Sequence, residues 1–102
     1  MNVQAFYKAL ARVLSERTDT EIKVKEITDD LYALMRDGHY ASIDMSNVGD
    51  TVYVRVLIML NGLDFDKKYD YSFTFYMTED ADDLKAMNEC KAILNNLLAE
   101  EQ

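Results

Sequence analysis

The chain holds one histidine, His39, and one cysteine, Cys90. These are the first residues to test for nucleophilic chemistry. A thiol or hydroxyl nucleophile needs a base within hydrogen-bond reach. His39 falls beside a predicted turn and Cys90 falls mid-helix, and nothing in the spacing ties them together. Cys90 lies on an apolar stripe, which reads as a small buried hydrophobe. The carboxylates are more numerous. In "DFDKKYDY" Asp64 and Asp66 stand two apart, like the start of a calcium loop. The match fails at its sixth position, Tyr69 where glycine is needed, and at its twelfth, Phe75 where glutamate is needed. "TEDADD", holding Glu79, Asp80, Asp82 and Asp83, reads as the acidic first turn of a helix. The glycines Gly38, Gly49 and Gly62 all fall in predicted turns, so no glycine-rich phosphate loop is present. No catalytic residue, metal ligand or cofactor site is expected, and the chain reads as non-enzymatic.

The elements that would position these groups follow from periodicity. Val3, Phe6, Leu10, Val13 and Leu14 recur at one helical face, predicting a helix from about Val3 to Arg17 with Asn2 as its cap. "EIKVKEI" alternates through Ile22 and Val24 and predicts a strand, whose parity slips at Ile27 as at a bulge. "TDDLYALMRDG" suits either a short helix, capped by Thr28 and closed at Gly38, or a hairpin turning at Asp37-Gly38. The hairpin is the preferred reading, and it opens a strand from His39 to Met45. A turn centred on Val48-Gly49 would set Met45 opposite Val52 and Ile43 opposite Val54. The next strand buries the even positions Val52, Val54, Val56, Ile58 and Leu60. Asn61-Gly62 is a hairpin signal. Beyond it the odd positions Leu63, Phe65, Tyr69, Tyr71, Phe73, Phe75 and Met77 are apolar, which fits one shared core face whether the turn is tight or runs through Lys67-Lys68. A final helix from about Glu79, capped by Thr78, aligns Leu84, Met87, Cys90, Leu94, Leu97 and Leu98. The expectation is a single two-layer α+β domain over 1–102: an N-terminal helix, an antiparallel meander of about four to five strands, and a C-terminal helix.

With both helices on the Val54, Val56 and Ile58 face, the opposite face would carry Leu31, Ala33, Met35, Tyr40, Tyr53, Leu57, Met59 and Tyr76. That is too apolar for a face left in water. Ser42, Asp44, Arg55, Ser72 and Thr74 interrupt it, giving the composition of an interface core. Three readings stay open: burial within the chain, a homodimer interface, or a docking surface for another protein.

The net charge is −8 over 102 residues. Residues 1–36 hold six basic and six acidic side chains; residues 37–102 hold five and thirteen, so 5 − 13 = −8. Such a field disfavours nucleic acid and polyanionic membrane surfaces and favours a basic protein partner. No run approaches the ~18 apolar residues of a membrane span. One thiol allows no internal disulfide, and the expected setting is the cytoplasm, or a host's cytoplasm.

This compact, acidic, motif-free chain resembles in style the small phage-encoded inhibitors of host defence, including anti-CRISPR and anti-restriction proteins. The likeness covers size and composition. It implies a protein that occupies a basic, nucleic-acid-binding surface of its target. The acids Asp44, Asp64, Asp66, Asp70, Glu79, Asp80, Asp82 and Asp83 would then be contacts. The chain also looks similar to small acidic α+β chaperones of secretion systems. That likeness implies a homodimeric adaptor working through the apolar sheet face of Tyr40, Tyr53, Arg55, Leu57, Met59 and Tyr76.

Overall fold

A computed structural model describes the backbone of residues 3–100 and the side chains of residues 3, 4 and 19–100. The element order is α1 (Val3–Arg36), β1 (Tyr40–Val48), β2 (Thr51–Met59), β3 (Tyr71–Tyr76) and α2 (Ala81–Glu100). The three strands form one antiparallel sheet in the order β1-β2-β3. Both helices pack on the same face of it, so the domain is an α+β two-layer sandwich.

The sheet has three strands, not four or five, because residues 21–36 are helical. Thr20, Val24, Ile27, Leu31 and Leu34 recur at spacings of 4, 3, 4 and 3, and all five are buried. That is one stripe of a helix. The parity slip at Ile27, expected to mark a bulge, is the helical period itself. Thr18, Asp19 and Thr20 are weak helix formers, but none breaks a helix as proline or glycine would. Burial of the stripe beyond them carries the helix through. Leu31 belongs to this stripe and so does not lie on the second sheet face. The expected side-chain face of Phe6, Leu10, Val13 and Leu14, and the Asn2 cap, lie outside the described residues.

Asp37-Gly38 closes α1 rather than turning a hairpin. Gly38 adopts φ +94°. Its N–H donates to the Met35 carbonyl, and the His39 N–H reaches back to the Leu34 carbonyl, each at 3.1 Å. These are the two bonds of a Schellman motif. A left-handed glycine serves a helix end as well as a hairpin, and the buried residues before it decided between them.

The β1–β2 turn centres on Gly49-Asp50, with Val48 opposite Thr51. Only Gly49 has positive φ, 62°, as a type II′ turn requires of its first centre. The register therefore pairs Met45 with Val54, Ile43 with Val56 and Ala41 with Ile58. That is two residues from the expected pairing. A shift of two leaves every side chain on its expected face. In β2–β3 the pairs are Val54 with Phe75, Val56 with Phe73 and Ile58 with Tyr71, as the shared even and odd parity required. β3 starts only at Tyr71, so residues 60–70 form a loop rather than the first half of a strand.

α1 and α2 run parallel, because Lys23 meets Asn88 and Lys91 meets Asp30 and Glu26. Met87, Cys90, Leu94 and Leu97 face the α1 stripe and the sheet residues Val54, Val56, Ile58 and Phe75 in one core. α2 begins at Ala81, two residues later than expected. Leu84 N–H bonds the Asp80 carbonyl, so Asp80 takes the cap position expected of Thr78. Thr78 instead accepts the Asp80 N–H on its hydroxyl.

Candidate functional site

The second sheet face has two halves. In the half toward the Gly38 turn, Met59 is 3% and Leu57 6% exposed. The loop of residues 60–70 folds over this half. Asp64 N–H lies 2.9 Å from the Met59 sulfur, and Tyr69 stacks on Tyr40 at 6.3 Å. Tyr40 is the cross-strand partner of Met59. Much of the apolar character that the sequence placed on this face is therefore covered by the chain's own loop.

The half toward Gly49-Asp50 is open. Tyr53 and Tyr76 are cross-strand partners in edge-to-face contact at 5.3 Å, an arrangement that aligns ring edge with ring face. Tyr76 remains 38% exposed. Arg55 and Asp44 stand opposite each other next along the same face, both exposed.

The predicted acids separate into two groups at opposite ends of β2, about 27 Å apart for eight steps of an antiparallel strand. At the loop end lie Asp64, Asp66 and Asp70. Two of these carboxylates hold the loop: Asp64 accepts the Asp66 N–H at 2.9 Å and Asp70 accepts the Leu60 N–H at 2.7 Å. Phe65 projects between Asp64 and Asp66, 91% exposed. His39 also serves this end, its Nδ1 accepting the Asn61 N–H at 2.9 Å. That bond steadies a residue held at φ 67°.

At the other end lie Glu79, Asp80, Asp82 and Asp83. Asp83 is structural, because its carboxylate accepts the Tyr76 N–H at 3.0 Å and the Thr78 hydroxyl at 2.6 Å. Glu79, Asp80 and Asp82 point to solvent. The fold brings Asp50 to them, and adds Asp19 and Glu21, which sequence reasoning left out. Glu21 and Asp50 line a groove of about 190 Å³ with Glu79, Thr20, Val52 and Met77. Asp19 borders the neighbouring depression with Glu79 and Glu26. No sequence signal joins Asp19 and Glu21 on α1 to Asp50 in a turn and Glu79 before α2. Only the parallel packing of the helices over the sheet does so.

Asp44 lies on the open face between the two groups. The Tyr53–Tyr76 pair, Arg55 and Asp44 stand nearer the Glu79 end, and Asp64, Asp66 and Asp70 stand at the loop end.

Cys90 has no solvent exposure. Burial pushes its thiol up to about 12, the Asp30 charge adds to the rise, and Lys91 offsets part of it. A thiol held protonated is a packing group, not a nucleophile. Among the described residues no group of three or more His, Cys, Asp or Glu is placed to hold a metal ion. No helix among them is long and apolar enough to cross a membrane.

No family model matches the chain, and no curated protein or solved structure matches it significantly. The fold defines its class: a two-layer α+β domain, two parallel helices on one face of a three-stranded antiparallel sheet.

Proposed function

We propose that this protein is a non-enzymatic interaction module that docks on a basic surface of another protein, in the manner of the small anti-defence inhibitors it resembles in style. The observation that carries the reading is the half-exposed Tyr53–Tyr76 pair on the open half of the sheet face, beside the exposed carboxylates of Asp50, Glu79, Asp80 and Asp82. Paired aromatics supply apolar contact at little entropic cost, and Tyr and Arg are the residue types that anchor interfaces. The carboxylates add steering toward a positive partner and repel nucleic acid itself. A basic surface that normally receives nucleic acid suits both features. Leu57 and Met59, which an adaptor would use, are buried within the chain.

The test is capture of partners from a lysate at stepped salt. Capture should fall steeply with salt. It should be lost in Tyr76→Ala and in Glu79→Lys with Asp82→Lys, yet persist in Asp66→Lys at the opposite end. Equal loss in Asp66→Lys, or capture indifferent to salt and charge reversal, overturns the reading.

A further inference from the structure

The two edges of the sheet are treated differently. β3 is six residues long, and of its outward N–H groups, at Ser72, Thr74 and Tyr76, that of Tyr76 is occupied by the Asp83 carboxylate. A side chain that claims an outward donor blunts an edge against pairing. β1 is nine residues long, with no proline and Asp44 as its one charged residue.

The orientation of the β1 backbone groups follows from the ladder. Met77 N–H bonds the Val52 carbonyl, so even residues of β2 face β3 and odd ones face β1. Their partners in β1 are even-numbered. In an antiparallel strand, alternate residues bond to opposite sides. The N–H and C=O groups of Ala41, Ile43 and Met45 therefore point outward. Among the described residues no hydrogen bond reaches them. The helices also leave this corner uncovered, since Met45 on the helix-side face is 52% exposed.

We propose that this edge pairs antiparallel with β1 of a second copy, about a twofold axis at Ile43, to make one six-stranded sheet. Sequence self-complementarity selects both the occupant and the register. A twofold at Asp44 would set the two Asp44 carboxylates directly opposite, which like charges disfavour. A twofold at Met45 would set Asn47 against Ile43. A twofold at Ile43 sets Ala41 against Met45 of the second copy, Ile43 against Ile43, and Ser42 against Asp44. Every outward backbone group from Ala41 to Met45 then finds a partner, and the apolar helix-side face continues across the junction. The acidic end stays free, so this inference does not rest on the docking reading.

Sedimentation equilibrium over a concentration series tests it. The wild-type chain should approach 23.6 kDa, twice its 11.8 kDa. Met45→Pro removes an outward N–H that the chain's own sheet does not use, a position where an edge strand accepts proline. It should give a folded monomer. Two further variants keep the backbone intact. Ser42→Lys faces Asp44 of the second copy twice per dimer and should tighten the dimer about three- to tenfold; Ser42→Asp should weaken it by a similar factor. If Met45→Pro fails to fold, the opposite responses at Ser42 decide. A wild-type chain that stays monomeric, or a dimer indifferent to the charge at position 42, overturns the proposal.

Discussion

Ile22 and Ile27 carry opposite expectations in the strand and helix readings of residues 21–27, so truncating each to alanine tests the fold. A strand would bury Ile22 with Val24 and turn Ile27 away. The helix does the reverse: Ile27 is 0% and Ile22 48% exposed. Ile27→Ala removes three carbons from the core, worth about 2.4 kcal/mol at ~0.8 kcal/mol each. The cavity left by partial relaxation adds about 1 kcal/mol. Alanine's better helix propensity returns roughly 0.4 kcal/mol. The net loss is about 3 kcal/mol, within the range seen for such truncations. In a domain of this size it lowers Tm by roughly 12–24 °C. At Ile22 half the side chain already meets water and no cavity forms, so the same substitution should cost under ~1 kcal/mol. Urea unfolding followed by far-ultraviolet circular dichroism measures both. An unchanged slope with denaturant would locate the effect in stability rather than in the denatured state. Equal costs, or a larger one at Ile22, would refute the helix and the seam built on it.

Two further outcomes follow from named contacts. Asp83→Ala should cost about 1–2 kcal/mol, because it strands the Tyr76 N–H and loosens the entry to α2, whereas Asp82→Ala, with its side chain in solvent, should stay within roughly 0.5 kcal/mol; matched urea titrations separate them, and equal costs would remove the structural role of Asp83. Cys90 sets a pH dependence: the unfolded thiol ionises near its ordinary 9.0, while the buried one stays protonated to about 12. Between those values the unfolded state binds fewer protons, so this group's contribution to stability is complete below about 9 and falls as pH rises, by at most ~1.4 kcal/mol per pH unit. The stability gap between wild type and Cys90→Ala should therefore narrow above pH 9, and thiol reagents should label the folded chain only as fast as it opens; a constant gap with rapid labelling would refute the burial.

What was legible came from patterns that local chemistry enforces. The period-two alternation of residues 52–58 and 71–77 fixed which side chains share a sheet face. A slip of one residue would have exposed all of them. The two-residue error at Gly49 left that assignment intact. The stripe Met87, Cys90, Leu94 and Leu97 marked α2 for the same reason at period 3.6. In residues 20–36 local signals point away from a continuous helix although its 4-3-4-3 stripe is present. Thr18-Asp19-Thr20 imitates a helix end, and Asp37-Gly38 imitates a hairpin turn. Each signal is local, and the burial that overrides it comes from α2 and the sheet.

By itself, then, the sequence determined the α+β class, the antiparallel parity of the sheet and the C-terminal helix. The tertiary structure decided how many strands there are, which half of the outer face stays open and which acids stand together. Parity and helical period are properties of one segment's backbone geometry. The juxtaposition of Glu21, Asp50 and Glu79 and the stacking of Tyr69 on Tyr40 arise between segments far apart in the chain. They depend on helix packing and strand register, which no single segment encodes.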